Sequence, residues 1–460
     1  IGLNTLNKIL VIMSHTNIQA SDVRSTLAKH ILADGYDMVL DLDKSHGSYL
    51  VDKITKKEYL DFFTFFASNP LGMNHPALDN DDFIRRIGKV AINKPSNSDI
   101  YTEYMAEFME TFERVGIPEY LPHAFFISGG ALAVENAMKV AFDWKVQKNF
   151  ERGYREEKGH LVLHFEHAFH GRTGYTLSVT NTVPDKVKYF PKFNWPRVTS
   201  PANHYPETEE STMQVVKHEQ LAIEQAKRFF EIHKDEIACI LIEPIQAEGG
   251  DRHFRHEFHK ELRKLADTYE ALLIYDEVQT GVGLTGKFWA HEHFVEPDII
   301  AFGKKAQVCG ILAGKRLDEV ETNCFKVSSR INSTWGGNLV DMVRFQRILE
   351  VIEQDNLVEN AANLGEYLLE GLHHLSAKHA HFSNPRGKGL MCAIDLPNAH
   401  ARNAVVSECM EQGLMILGCG DKTIRFRPAL TVSKDEIDQA LRILSSAYSS
   451  AIDRCPVATD

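Results

Sequence analysis

The sequence predicts an α/β fold built on a mainly parallel β-sheet. Between about residue 80 and residue 335, short apolar runs alternate with helical stretches, and the runs read AFFI, LVLHF, IACILIE, ALLIYDE and DIIAFG. Apolar runs of this length, separated by helices, are typical of parallel strands that are buried on both faces. The stretch LAVENAMKVAFDWKVQKNF is the clearest of the intervening helices.

The two ends of the chain have a different pattern. The first ~70 residues contain a helix-like SDVRSTLAKHIL and two strand-like segments, MVLDLDK and GSYLVD. After Asn338 come the amphipathic stretches LVDMVRFQRILEVIEQ and ENAANLGEYLLEGLHHLSA, the strands GLMCAIDL and TIRFRPAL, and a final helix from Lys434. We therefore expect residues 1–75 to join a small lobe, residues 76–337 to form the large domain, and residues 338–460 to form a C-terminal α+β domain.

Composition favours small-molecule chemistry in the cytoplasm. A chain of 460 residues with 43% hydrophobic residues can bury a large core, and its net charge of -12 without a Lys/Arg block argues against nucleic-acid or acidic-membrane binding. The seven cysteines include no C-x-x-C pair, so neither a disulfide framework nor a thiolate zinc site is indicated. No 18-residue apolar stretch occurs, and the opening IGLNTLNKILVIMSH is too interrupted for a secretory signal.

Open α/β sheets bind ligands at the carboxyl ends of their strands, so the residues just after each apolar run are the candidates for a site. After AFFI, the turn Ser128 to Leu132 (SGGAL) opens a long helix and offers free N–H groups for a phosphate. The plainer interpretation, a tight turn with Ser128 as N-cap, is favoured when this turn is considered alone.

After LVLHF, the segment EHAFHGRTG holds His167, Phe169, His170 and Arg172. The histidines lack a suitably spaced Cys or carboxylate, so we expect no metal site. Phe169 either belongs to the core or stacks on a flat ring, and Arg172 offers a bidentate grip on a carboxylate.

Two further strand ends carry ionisable groups. Asp276 comes directly after the run ALLIY. A buried carboxylate at this position is costly unless a cation lies beside it, which favours a ligand-binding role. A turn or N-cap role for Asp276 is about equally plausible. Lys304 and Lys305 follow DIIAF, and on an extended chain neighbouring side chains point to opposite sides. At most one of the two lysines can therefore reach a given ligand, and parity does not choose between them.

Together the four strand ends supply a phosphate cradle, an aromatic ring, an acid and an amine. These are the parts that a pyridoxal phosphate site requires. Each signal is weak by itself, but their conjunction indicates such a site.

Longer motifs support this interpretation. FHGRTG, ILIEPIQAEGG, LLIYDEVQTG and PDIIAFGK, within a similarity that runs from DGYDMVLDLDKSHGSYLVD to RFRPALTVSKDEID, resemble the class III (ω) aminotransferases of the fold-type I pyridoxal-phosphate family. Four departures from the wider class, KAQVCG, Leu284, STWGGN and SGGALAVENAMK, resemble its lysine 6-aminotransferase branch.

The resemblance implies a role for each matching position. Lys304 would be the Schiff-base lysine and Asp276 the partner of the ring nitrogen. The other cofactor contacts that it implies are Gly130, Ala131, Phe169, His170, Val278, Gln279, Ser333 and Thr334, the last two from the partner subunit of a homodimer. The substrate-binding residues that it implies are Arg172, Glu243, Arg425 and Asn332.

The resemblance also implies the reaction, which is transfer of the 6-amino group of L-lysine to 2-oxoglutarate. Glu243 would mask Arg425 while lysine is bound and swing aside for oxoglutarate; Arg427, two residues along the same strand, is a rival for the carboxylate. The alternatives are another ω-aminotransferase, acting on ornithine or 4-aminobutyrate, and an isomerase of the same fold.

Overall fold

The computed structural model describes residues 18–454, and its largest sheet contains all five predicted apolar runs. Along the chain the strands are β1 (Tyr49–Val51), β2 (Glu58–Asp61), β3 (His123–Ile127), β4 (Leu161–Phe165), β5 (Arg197–Val198), β6 (Ile237–Ile242), β7 (Leu272–Asp276), β8 (Ile299–Phe302), β9 (Cys309–Ala313), β10 (Ser383–Lys388), β11 (Met391–Asp395), β12 (Leu414–Met415), β13 (Leu417–Cys419) and β14 (Thr423–Phe426). The large sheet has the order β3-β9-β8-β7-β6-β4-β5. Strand β9 is antiparallel to both of its neighbours, and the pairs from β8 to β5 are parallel, which confirms a mainly parallel sheet.

Helices cover both faces of this sheet. Along the described chain the helices are α1 (Val23–Leu27), α2 (Asp81–Ala91), α3 (Glu103–Gly116), α4 (Gly130–Glu151), α5 (Gly174–Val179), α6 (Glu209–Ile232), α7 (His256–Thr268), α8 (Leu339–Gln354), α9 (Leu357–Lys378), α10 (Ala399–Glu411) and α11 (Lys434–Arg454). Successive residues of β7 belong to two different hydrophobic clusters: Leu272 and Ile274 pack on the α4 side, while Leu273 and Tyr275 pack on the side of α7 and α8. This alternation explains why the strand sequences are apolar throughout.

The sequence did not reveal β9. Strand β9 begins shortly after the 3-10 turn Lys304–Ala306, which contains the two lysines. The five residues of the strand are all buried. A buried run of this length carries no alternation of polar and apolar residues, so periodicity alone could not identify it.

The N-terminal and C-terminal segments of the described residues pair with each other in a small sheet. Leu60 of β2 pairs with Leu414 of β12 in a three-stranded sheet of order β1-β2-β12. A separate four-stranded sheet has the order β10-β11-β14-β13. The boundaries at residues 75 and 337 stay predictions, and the opening run of the chain lies outside the described residues.

Several small-lobe elements differ from expectation. The stretch SDVRSTLAKHIL is helical only at Ala20–Asp22 and α1, and MVLDLDK contributes only the isolated bridge of Leu40 to Asp52. Strands β2 and β10 and helix α10 were not predicted. These segments are short or depend on their neighbours for pairing, so local propensity is a weak guide to them.

One turn of the small lobe has an unusual backbone. Residues Thr64–Ala67 all have positive φ, from 41° at Thr64 to 62° at Ala67. Left-handed turns of residues with a Cβ atom cost energy and need anchors. Asp61 supplies one by accepting hydrogen bonds from the N–H groups of Phe63 and Thr64, and the Thr64 hydroxyl donates to the carbonyl of Arg427.

The helices within residues 18–454 include none that is both long and apolar enough to span a membrane.

Candidate active site

The loops that follow three strands converge with the first turn of α4 at one edge of the large sheet. A Cβ atom placed on Gly130 would lie 2.9 Å from Cγ1 of Val278, and one on Gly303 would lie 3.5 Å from the same atom. A Cβ atom on Gly171 would lie 2.4 Å from the Cβ atom of Ala131. The segments that the sequence singled out separately therefore form one site.

Lys304 lies in this site with a strained backbone. It is partly buried, and its φ of 50° is in the left-handed region, which residues with a Cβ atom seldom adopt. Burial lowers the pKa of its amine to about 8; Arg425 acts in the same direction, while Asp276 opposes the shift. An amine with that pKa is available both as a nucleophile and as a proton carrier near neutral pH.

Lys305 points elsewhere. Its buried amine donates hydrogen bonds to the carbonyl of Ala67, at 3.2 Å, and to that of Gln279, at 2.7 Å. The two lysines lie in a 3-10 turn and not on an extended strand, yet their side chains diverge. Lys304 is thus the lysine that faces the converging loops.

Asp276 ends β7 and is held by a histidine. Its Oδ2 atom lies 2.8 Å from Nδ1 of His170, and its Oδ1 atom accepts a hydrogen bond of 3.0 Å from the N–H of Val278. Both side chains are buried, and Nε2 of His170 has no partner. Within residues 18–454, no three His, Cys, Asp or Glu side chains are grouped so as to hold a metal ion.

Arg425, on β14, pairs with Glu248. Its Nη2 atom lies 2.9 Å from Oε2 of Glu248, while Nε and Nη1 are buried and have no hydrogen-bond partner. Glu248 also lies 2.6 Å from Nζ of Lys186. Burial alone would raise the pKa of Glu248, but Arg425 and Lys186 outweigh it and bring the pKa below its ordinary value. Arg425 therefore has unused donors for a carboxylate and an ionised partner that must be displaced.

Glu243 does not pair with Arg425 in this structure, and its expected role of masking Arg425 while lysine is bound stays a prediction. Glu243 accepts hydrogen bonds from the N–H groups of Phe169, at 3.0 Å, and Ala247, at 3.1 Å. It comes directly after β6, where two loops surround it with backbone donors, whereas Glu248 lies five residues further along. The sequence contained Glu248 within ILIEPIQAEGG, but only the folded loop brings it to Arg425.

Comparison with known proteins decides the family. The family model described as "Aminotransferase class-III" matches residues 31–448. The chain belongs to the class III aminotransferases. The L-lysine-epsilon aminotransferase of Mycobacterium tuberculosis is 53% identical over 428 residues, covering 92% of this chain and 95% of that protein. That of Streptomyces clavuligerus is 49% identical over 440 residues, with 94% and 95% covered.

Similarity extends to structure and, at lower identity, to another branch. A solved lysine aminotransferase of M. tuberculosis, in its internal aldimine form, superposes with a TM-score of 0.92 at 51% identity, covering 94% of this chain and 100% of that one. The human mitochondrial 4-aminobutyrate aminotransferase is 31% identical over 434 residues, covering 90% of this chain and 85% of that protein.

A class III aminotransferase uses pyridoxal phosphate, and the residues present fit this cofactor. Helix α4 begins without a side-chain cap: its N-cap is Gly129, with φ 110°, and not Ser128 as the plainer interpretation predicted. This leaves the N–H groups of the first turn free for a phosphate. Asp276 suits a protonated ring nitrogen, and the partly buried Phe169 and Val278 suit the faces of the ring.

Arg427, the rival for the carboxylate in this aminotransferase, is engaged elsewhere. Its guanidinium binds Asp251, the side-chain oxygen of Gln279 at 3.2 Å and the carbonyl of Phe426 at 2.8 Å. Arg427 thus ties the segment after β14 to the loops after β6 and β7, and of the two arginines Arg425 is the one with free donors.

Other predicted residues are not joined to this site by the contacts within residues 18–454. Arg172 is exposed. Ser333 contacts Ser98 through its carbonyl oxygen and Gly336 through its hydroxyl, Asn332 accepts a hydrogen bond from the N–H of Ser333, and Thr334 is exposed. Their roles stay predictions.

Proposed function

We propose that this chain transfers the 6-amino group of L-lysine to 2-oxoglutarate, releasing L-glutamate and 2-aminoadipate 6-semialdehyde, which then cyclises to piperideine-6-carboxylate. Its relatives at 53% and 49% identity are L-lysine-epsilon aminotransferases. The observation that carries the proposal is the pair of Arg425 and Glu248, since it forms a carboxylate site that can be closed.

The two substrates make opposite electrical demands on the same site. Oxoglutarate carries a carboxylate next to its reacting carbon, whereas lysine has only a CH₂ group there. A buried arginine without a partner would cost several kcal/mol while lysine is bound. Glu248 neutralises Arg425 in that state, as Glu243 had been expected to do, and yields it to the carboxylate of oxoglutarate.

Pyridoxal phosphate supplies the aldehyde that receives the amino group and a ring that accepts electrons. The Lys304 amine, with its pKa near 8, would take the proton from C6 of lysine and deliver it to the carbon that receives the amino group. Asp276, oriented by His170, would stabilise the protonated form of the cofactor's ring nitrogen. Arg172 holds the distant α-carboxylate of lysine.

We further propose a homodimer in which the partner subunit's Ser333 and Thr334 reach the cofactor phosphate, and we propose that Asn332 borders the substrate. The support is an exposed apolar surface beside this segment: Ile100 is 70% exposed, Tyr101 76% and Trp335 45%. Patches of this kind are typical of protein interfaces. A cytoplasmic location stays a prediction from the scattered cysteines.

Turnover of L-lysine with 2-oxoglutarate tests the function. The holoenzyme is expected to form glutamate and the cyclised product in equal amounts, with a higher kcat/KM for lysine than for ornithine or 4-aminobutyrate. A higher kcat/KM for either of those donors would overturn the assignment. Conversion of lysine in the absence of oxoglutarate would favour an isomerase instead.

A further inference from the structure

Glu248 is held by two cations, one at each oxygen. Arg425 lies 2.9 Å from Oε2, and Lys186 lies 2.6 Å from Oε1. Lys186 is the last residue of the 3-10 turn Pro184–Lys186, and its amine also lies 5.3 Å from the centre of the Phe169 ring. The side chains of Lys186 and Glu248 are only 20% and 23% exposed, so solvent screens this pair incompletely.

Opening the site creates an electrostatic problem. If Arg425 turns its donors to a substrate carboxylate, Glu248 loses a partner while it stays mostly buried. A carboxylate in that position is costly unless another cation remains beside it. Lys186 already touches the oxygen that Arg425 does not use, so it can remain paired with Glu248 when Arg425 is taken.

We infer that Lys186 is a positioning residue. It stays paired with Glu248 when Arg425 leaves that carboxylate, and it thereby lets Arg425 bind the carboxylate of the amino acceptor. This inference rests on the proposed alternation of Arg425 between Glu248 and substrate. It assigns to Lys186 a specific effect on the acceptor half of the reaction. Binding of lysine, which requires Arg425 to stay paired with Glu248, should be little affected.

A direct role is the main rival. The Lys186 amine is close enough to Glu248 that it could instead contact the acceptor itself once the site is filled. The two roles differ in their dependence on Glu248: an indirect role disappears when the Glu248 charge is removed, and a direct one does not. A double-mutant cycle measures this difference.

The experiment uses enzyme reconstituted with pyridoxamine phosphate, so that no amino donor is needed. In Lys186→Met, the concentration of 2-oxoglutarate that half-saturates single-turnover amino transfer should rise roughly tenfold, the scale of one partly screened charge-assisted hydrogen bond, with little change in the maximal rate. In the pyridoxal phosphate form, half-saturation by lysine should change less than about twofold. Lys186→Arg should restore most of the acceptor binding because it keeps the charge.

Lys188→Met is the matched control. Lys188 lies two residues further along, pairs with Asp185 at 2.8 Å, and has a side chain that is 48% exposed. This variant removes the same charge from the same segment without touching Glu248. It should leave both half-reactions within about twofold of the starting enzyme.

The cycle with Glu248→Gln decides the mechanism. In that background, Lys186→Met should change oxoglutarate binding by less than about twofold. A tenfold loss that persists there would show direct binding and overturn the inference, as would an unchanged oxoglutarate affinity in the single variant or equal losses in both half-reactions. If the enzyme turns over oxoglutarate but not lysine, the proposed donor is wrong while the role of Lys186 is still tested.

Discussion

Lys304 and Lys305 are neighbours with opposite environments. Lys304 faces a site with carboxylates and an arginine, in which burial brings its pKa to about 8. Lys305 is enclosed and donates to two backbone carbonyls. The positive φ of Lys304 lies at the turn that separates the two side chains. The backbone strain therefore occurs where catalysis requires a fixed direction of the Lys304 side chain.

Glu243 provides a pH-dependent prediction at the residue scale. Burial raises the pKa of its carboxyl to about 7 from an ordinary 4.5, with Asp276 adding to the shift. The folded protein therefore binds more protons than the unfolded chain between these values, and the stability from this group, complete below pH 4.5, is lost as pH rises through about 7. Relative to Glu243→Gln, the apoprotein should lose about 2 kcal/mol of unfolding free energy between about pH 5 and pH 8.

Denaturant unfolding of both apoproteins across this pH range measures that difference. The glutamine amide also meets a backbone N–H at one of the two sites, which lowers stability at every pH and leaves the slope unchanged. Glu166→Gln, at an exposed position on a nearby loop, is the control and should show no such slope. Parallel curves for the starting protein and Glu243→Gln would refute the prediction.

At the scale of elements, the start of α4 determines how tightly the phosphate is held. Gly130 is the first residue of this 22-residue helix, and a Cβ atom there would lie 2.9 Å from Cγ1 of Val278. Adding a methyl group to such a close contact forces one of the two segments to move. Because Val278 is also expected against the cofactor ring, the movement affects cofactor binding before it affects folding.

Gly130→Ala is therefore expected to raise the dissociation constant of pyridoxal phosphate roughly tenfold. Titration of the apoprotein with pyridoxal phosphate, monitored by fluorescence, measures this dissociation constant. Gly88→Ala in α2 is the matched control, since nothing beyond the adjacent backbone of its own helix lies within 4 Å of the added methyl group. It should leave cofactor affinity unchanged and stability equal or slightly higher. Equal cofactor affinities in the two variants would contradict this account of the cradle.

At the scale of the whole molecule, buried polar contacts join the lobes. Lys305 links the turn after β7 to Ala67 in the N-terminal segment. Arg427, which follows β14, binds Asp251 of the large domain, and both side chains are almost fully buried. Groups of this kind are expensive to leave unpaired, so the lobes hold a defined relative position around the site.

Lys305→Met should destabilise the apoprotein by about 2–4 kcal/mol, because it leaves two buried carbonyl oxygens without donors. Lys315→Met, at an exposed position, should change stability by less than about 0.5 kcal/mol. Denaturant unfolding measures both. Borohydride reduction of the Lys305→Met holoenzyme, with peptide mapping, should still place the pyridoxyl label on Lys304; loss of the label from Lys304 would overturn the division of roles.

The sequence by itself predicted five strands of the large sheet and the residues at their ends, and through the family resemblance it named Lys304 and Asp276 as the centre of the site. These features are local: a run of apolar residues marks a buried strand, and the residue after it lies at the carboxyl edge. Short motifs also carried the family resemblance, which the comparisons confirmed.

Only the tertiary structure decided which charges meet. It paired Arg425 with Glu248 instead of Glu243, committed Arg427 to Asp251, and brought Lys186 to the same carboxylate. It also revealed β9, whose pairing depends on two strands distant in sequence. An ion pair depends on where loops fold and on what else competes for each oxygen, so neither spacing nor strand parity could have chosen these partners.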